Sequence, residues 1–325
     1  MEHGIHDVKY EEEYIVNSWG VELFTCRWSP ANSEPQALIF LCHGYAMECS
    51  ISMRDCASRL VKAGYEVHGI DCEGHGKSSG LLGFIPSFDH LVDDLSEHFT
   101  NISERRENRK MMRIILGESM GGAMVLRLHL KKPDYWDGAV LVAPMCKIAE
   151  EMRPNPLVIK ALTSLARIIR TWKLTPTPDI VDVAFRDPKV RYEVRSNPYT
   201  YKGRPRLQTG YQLYAASVDL EQRLPEVSLP FIILHGEEDK VTDPSVSKWL
   251  YESARAADKT FKLYPGMWHS LSYGELPENL DTVFSDILEW LKHRVVAHNA
   301  RFEEQRKIAN DHNASESKFV NVKGT

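Results

Sequence analysis

Arg113-Ile114-Ile115-Leu116-Gly117-Glu118-Ser119-Met120-Gly121-Gly122 is the stretch on which the reading of this chain turns. The first four residues read as a buried strand, and Ser119 to Lys131 reads as a helix. The serine therefore stands at a strand-to-helix junction inside Gly-x-Ser-x-Gly. A turn that tight forces the serine into a strained backbone and pushes its hydroxyl out at the sheet edge. The flanking glycines remove side chains that would collide, and Gly122 lets the helix pack close to the sheet. The five-residue pattern is common by chance. Its position between strand and helix makes Ser119 the candidate nucleophile, against the plainer reading of a capping serine in a glycine-rich turn.

Outward from this point the chain alternates strands and helices. Strands are expected at Glu22 to Trp28, Ala37 to Cys42, Tyr65 to Ile70 and Ala139 to Ala143. Helices are expected at Ile51 to Ala63 and Phe88 to Arg106. The rhythm stops after Pro144 and resumes with a strand at Phe231 to Leu234 and a helix from Pro244 to about Ala257. A last strand, Thr260 to Tyr264, and a last helix, Glu278 to Val295, follow. Such alternation predicts an α/β fold with a mostly parallel central sheet and helices on both faces. Residues 1–144 and 225–297 are read as its core. Residues 145–224, rich in proline and without a clear strand, are read as a cap inserted over the sheet. Residues 298–325 are polar and read as a loosely ordered tail.

Of the 325 residues, 43% are hydrophobic and 26% charged, which suits a globular chain and excludes disorder as a whole-chain reading. Forty Lys and Arg against 45 Asp and Glu leave a net charge of -5, which speaks against nucleic acid as a partner. No apolar run is long enough to span a membrane. Met1 to Glu13 is polar and acidic, unlike a secretory leader. Six scattered cysteines without Cys-x-x-Cys read as reduced thiols, and the expected location is cytoplasmic.

A serine hydroxyl needs a base, and in this fold the chain order is serine, acid, histidine. His269 follows the last strand in Tyr264-Pro265-Gly266-Met267-Trp268-His269 and is the candidate base. His293, His298 and His312 fall in the last helix or the tail. His235 precedes the acid loop and reads as structural. Among the carboxylates of Gly236 to Asp243, Asp239 is the candidate acid, with Asp243 as a rival whose place before Pro244 suits a helix cap. The oxyanion requires two N–H donors. Met120, after the nucleophile, supplies one, and Tyr45, in the turn after the strand ending at Cys42, is the candidate for the other.

Asp71-Cys72-Glu73-Gly74-His75-Gly76-Lys77-Ser78 ends like a phosphate loop, but Asp71 stands where that pattern requires Gly. Asp71, Glu73 and His75 could suggest a metal. A tight scaffold loop is the preferred reading, with no metal and no cofactor expected.

Taken together, His43-Gly44-Tyr45, Gly74-His75-Gly76-Lys77-Ser78, Gly117 to Gly122, His235-Gly236-Glu237-Glu238-Asp239 and Trp268-His269-Ser270 resemble the plant monoacylglycerol lipase group of serine hydrolases, in which caffeoylshikimate esterase also falls. The resemblance runs from about Tyr10 to Arg294. It implies an α/β-hydrolase fold with a cap, a triad of Ser119, Asp239 and His269, and oxyanion donors at Tyr45 and Met120. Trp136 to Met145 looks more like the general monoacylglycerol lipases than the caffeoylshikimate esterase branch.

The expected activity is therefore a serine carboxylester hydrolase, foremost a monoacylglycerol lipase. Caffeoylshikimate esterase, lysophospholipase or acyltransferase chemistry would use the same triad, and a hydrolase fold kept as a binding protein is the alternative outside catalysis. Leu157 to Trp172 reads as an amphipathic helix whose charges are all positive. It could lie on the endoplasmic reticulum or plasma membrane as a peripheral contact. The plainer reading packs its apolar face on the body, lining an acyl pocket.

Overall fold

The computed structural model describes residues 8–147, 168–173 and 179–322. Its strands are β1 (Val8–Val16), β2 (Glu22–Pro30), β3 (Ala37–Cys42), β4 (Glu66–Ile70), β5 (Met112–Glu118), β6 (Gly138–Val142), β7 (Phe231–Gly236) and β8 (Lys259–Tyr264). They form one sheet in the order β1-β2-β4-β3-β5-β6-β7-β8. β1 and β2 are antiparallel to their neighbours, and β4 to β8 run parallel with β3. This is the α/β-hydrolase arrangement.

The helices are α1 (Arg54–Lys62), α2 (Phe88–Ser103), α3 (Met120–Lys131), α4 (Ile180–Ala184), α5 (Pro188–Ser196), α6 (Leu207–Arg223), α7 (Pro244–Ser253) and α8 (Pro277–Val322). Every residue of β3, β6 and β7 is buried. Strands covered on both faces must be apolar at every position, which is why they read as continuous apolar runs. Successive side chains point to opposite faces. Phe40, Ile115, Leu141 and Ile233 join the core under α2, α3 and α6. Their neighbours Ile39, Leu116, Val142 and Ile232 join the core under α1 and α8.

Three differences from the sequence expectations have physical causes. β1 lies in the stretch read as a polar N-terminus. It is an exposed edge strand, and Tyr10 and Tyr14 hold it by packing on Trp28 and Phe24 of β2. The helix expected to close at Val295 continues to Val322, through a stretch with neither glycine nor proline to stop it. Between β6 and β7 the described residues contain no strand but do contain α4, α5 and α6, and α6 sends Ala216 and Leu220 into the main core. Of the amphipathic helix expected at Leu157 to Trp172, residues 157–167 lie outside the described residues. Residues 168–171 form a turn, with Ile168 81% and Trp172 58% exposed.

Candidate active site

The parallel strands end along one edge of the sheet, the edge where open α/β sheets carry ligands. β3 delivers His43 to Met47 there, β5 delivers Ser119, β7 leads to Asp239, and β8 leads to His269. The cavity above this edge has a volume of about 340 Å3. Gly44, Tyr45, Ser119 and His269 line it from the sheet side, while Ile180, Val181, Ala184, Phe185 and Tyr201 line it from the insertion.

Ser119 sits at φ 58° and ψ -117°, a conformation that costs a non-glycine residue about 1–3 kcal/mol. The surroundings hold it there. Ser119 N–H donates to Val142 O at 2.9 Å, and Ser119 O accepts from Gly122 and Met145 N–H. Met120 begins α3, so its N–H is among the helix N-terminal donors that have no acceptor within the helix.

The opposing turn is set by a buried histidine. His43 Nε2 accepts from Cys72 N–H at 3.0 Å, which leaves the proton on Nδ1 to donate to Gly44 O at 2.8 Å. Burial holds this imidazole below its ordinary pKa, so it stays neutral in that tautomer. Met47 N–H also donates to Gly44 O. In a planar trans peptide the N–H points opposite to the carbonyl, so pinning Gly44 O fixes the direction of Tyr45 N–H. A Cβ on Gly44 would lie 3.7 Å from Ser119 Cβ, which places this turn directly beside the serine.

His269 is 4% exposed, and its Nδ1–H donates to Asp239 Oδ2 at 2.7 Å. The Asp239 carboxylate is buried and saturated with donors. Oδ1 accepts from Val241 and Thr242 N–H at 2.7 and 3.0 Å, and Oδ2 accepts from Thr242 Oγ1 at 3.0 Å. Burial opposes its ionisation, but the charge of His269 and the hydrogen bonds from His235 and His269 outweigh it and hold the carboxyl far below the usual range. For His269, burial favours the neutral ring. Asp239, by its charge and its hydrogen bond, and then the Glu118 charge outweigh that and raise the pKa.

The structure thus brings Tyr45, Ser119, Met120, Asp239 and His269 to one edge. Asp243 stands apart from them and caps α7 through Ser245 N–H at 2.7 Å. Asp71 spends its carboxylate on Cys49 and Lys77 N–H at 2.8 and 2.9 Å, closing the scaffold loop. Three neighbours of the site were not legible as such. His235, read as structural, lies 3.0 Å from Asp239 Oδ2, with Ser247 at its other nitrogen. Thr242 holds Asp239 through two donors. Glu48 binds Ser50, Ile51 and Ser52 in the turn after β3 and Asn197 from the insertion, so it ties the two together.

Residues 33–276 match the family model described as serine aminopeptidase, S33. The chain is 31% identical over 281 residues to caffeoylshikimate esterase of Arabidopsis thaliana, covering 86% of this chain and 85% of that one. It is 30% identical over 298 residues to monoglyceride lipase of Mus musculus, covering 90% and 95%. A crystal structure of a soluble variant of monoglyceride lipase from Saccharomyces cerevisiae, in complex with a substrate analog, superposes with a TM-score of 0.76 at 21% identity over 87% of this chain and 94% of that one.

Proposed function

The chain belongs to the serine aminopeptidase S33 family, and from that premise we propose how its site works. The protein is a serine carboxylester hydrolase of the monoacylglycerol lipase kind, supported by relatives of that name at about 30% identity over most of both chains. The geometry of the site supports the following roles for its residues. Ser119 Oγ attacks the ester carbonyl carbon while His269 Nε2 takes its proton. The carbonyl oxygen, now negative, accepts from Tyr45 N–H and Met120 N–H. The imidazolium, held by Asp239, gives its proton to the glycerol oxygen as the C–O bond breaks. Water then attacks the acyl-enzyme, His269 again takes the proton, and Ser119 leaves with it as the fatty acid is freed.

One observation carries this reading. Ser119 and an imidazole anchored 2.7 Å from a buried carboxylate stand on the wall of a single cavity, whose insertion side presents Ile180, Val181, Ala184 and Phe185 to an acyl chain. Residues 145–224 serve as the cap in this reading. Ile168 and Trp172, exposed beside Arg170 and Lys173, support a peripheral contact with a lipid surface. Among the described residues no helix is long and apolar enough to cross a membrane. Residence in the cytoplasm with such contact belongs to the same proposal.

The identity to caffeoylshikimate esterase favours a second reading, hydrolysis of a phenolic ester by the same triad. The experiment compares kcat/KM for 2-oleoylglycerol and caffeoyl shikimate with wild type and Ser119→Ala. A preference for the glyceride that is lost in the variant supports the lipase. A preference for the phenolic ester selects the second reading, and activity that survives in Ser119→Ala refutes the mechanism.

A further inference from the structure

Glu118 is the last residue of β5, one peptide bond before Ser119. It is 4% exposed, and among the described residues no lysine or arginine forms an ion pair with it. Its carboxylate accepts from Ser270 Oγ at 2.7 Å, from Ser272 N–H at 3.2 Å and from Ser272 Oγ. Both serines are buried. They sit on the segment that starts one peptide bond after His269. One carboxylate therefore joins the turn carrying the nucleophile to the loop carrying the base, across a separation of 152 residues between Glu118 and Ser270.

We propose that Glu118 is a positioning residue, fixing the His269 imidazole relative to the Ser119 hydroxyl by gripping Ser270 and Ser272. The proposal rests on the reading of Ser119 and His269 as the reacting pair.

Stability alone gives a poor account of the arrangement. A buried carboxylate without a lysine or arginine partner carries a desolvation cost before its hydrogen bonds are counted, and an apolar side chain at the same place would avoid it. Burial pushes the Glu118 carboxyl up, against the charge of His269 and the serine donors. The backbone on either side is already anchored without this carboxylate. Glu118 pairs with Val142 in the sheet, Ser270 N–H donates to Ala184 O at 3.0 Å, and Gly274 N–H donates to Ser270 O at 2.9 Å. What the side chain adds is the distance between the turn and the loop, the one dimension those backbone bonds leave open.

The test uses Glu118→Gln, Ser272→Ala and the double variant in the full chain, with a soluble short-chain ester and thermal melting of each protein. Glutamine keeps the volume and one acceptor, but turns an amide NH2 toward a serine donor. A misplacement near 1 Å costs about 100-fold in rate. The expected result is a fall in kcat of roughly 10- to 100-fold for Glu118→Gln with KM within about twofold. Ser272→Ala should lose less, and the double variant should be no slower than Glu118→Gln, because the two act through one link. A kcat for Glu118→Gln within twofold of wild type overturns the proposal, as do losses that simply multiply in the double variant. Should Glu118→Gln not fold, Ser270→Ala and Ser272→Ala, which leave the carboxylate with its remaining donors, decide the matter. Unchanged kcat in both overturns it, and a lower kcat at constant KM upholds it. Ser119→Ala separates the layers: if it stays active the reacting pair is misassigned, and if it is dead while Glu118→Gln is normal, only the positioning role fails.

Discussion

Replacing Gly121 by alanine should damage stability and catalysis together, by amounts the structure sets. Gly121 lies in the first turn of α3, where the helix meets the end of β3. A Cβ there would stand 1.9 Å from the Cys42 carbonyl oxygen, 2.7 Å from the Cys42 carbonyl carbon and 3.0 Å from His43 O. All three atoms are backbone, so no rotamer change can relieve the contact. Cys42 is itself locked in the sheet opposite Gly117. Relief requires α3 and the β3 end to part by at least about 1 Å, an overpacking of the kind that costs about 1–3 kcal/mol. The parting separates the two N–H groups assigned to the oxyanion, since Met120 rides on α3 and Tyr45 on the turn after β3.

A displacement of about 1 Å at reacting groups costs on the order of 100-fold in rate. The expected outcome for Gly121→Ala is a loss of roughly 2–3 kcal/mol in denaturant unfolding and roughly 100-fold in kcat/KM, with labelling of Ser119 by a fluorophosphonate slowed in parallel. Gly20→Ala is the control. Gly20 has φ +78° and nothing within 4 Å of a built Cβ, so Gly20→Ala should lose about 1–2 kcal/mol of stability to backbone strain and no activity. The reasoning is refuted if Gly121→Ala unfolds within about 0.5 kcal/mol of wild type, inside the range of an innocuous substitution, and labels at the wild-type rate.

Asp239→Asn should keep the fold and lower kcat by roughly 10⁴-fold, because the amide cannot hold the imidazolium in place; a loss under tenfold would remove Asp239 from the triad. In the proposed mechanism catalysis needs His269 neutral and its pKa is raised, so the acid limb of the wild-type kcat/KM should lie above the ordinary histidine value of 6.5. The linked stability has the matching sign: His269 contributes most below the unfolded pKa and loses that contribution as pH rises through the folded one. A limb at or below 6.5 in the pH–rate profile contradicts both statements. Asn197→Ala removes the Nδ2 donor 3.0 Å from buried Glu48, so it should cost about 1–3 kcal/mol in thermal or denaturant melts and raise KM by loosening the insertion; an unchanged melt would show that the link carries no load.

Legibility in the sequence followed burial. β3, β5, β6 and β7 could be read because both faces of each are covered, leaving uninterrupted apolar runs. β1 could not, because its face is in solvent and its ordering contacts come from Trp28 and Phe24 on another strand. α6 escaped notice for a related reason: much of what it buries is small or polar, including Gln208, Thr209, Ala216 and Ser217. At the site, Ser119 was legible from a local motif, and Asp239 and His269 from chain order after strands. Thr242 and His235 hold Asp239 from three and four residues away along one stretch of chain, whereas Glu118 sits inside the serine motif and meets Ser270 and Ser272 only once the sheet brings the ends of β5 and β8 to one edge. Spacing records what a segment does by itself, and Glu118 acts between segments.

The charge distribution at the strand ends gives those contacts a common sense. Glu48, Glu118 and Asp239 are all buried near the cavity, and among the described residues none forms an ion pair with lysine or arginine. Neutral donors hold Glu48 and Glu118: backbone N–H groups, serine hydroxyls and the Asn197 amide. At Asp239 the donors are backbone N–H groups, Thr242 and two imidazoles. The same buried position pushes Glu118 up and leaves Glu48 below its usual range, where backbone and serine donors outweigh desolvation. A lysine or arginine beside Glu118 or Asp239 would bring a desolvation cost of its own and would cancel the field that His269 meets. Without such a cation the negative potential of Glu118 and Asp239 reaches His269, and in the proposed mechanism the imidazolium formed as Ser119 loses its proton becomes the positive charge that potential favours. The cost of keeping Glu118 and Asp239 in the interior is then matched, in the proposed mechanism, to a charge that forms during the reaction, which is the condition for lowering a barrier instead of merely tightening a ground state.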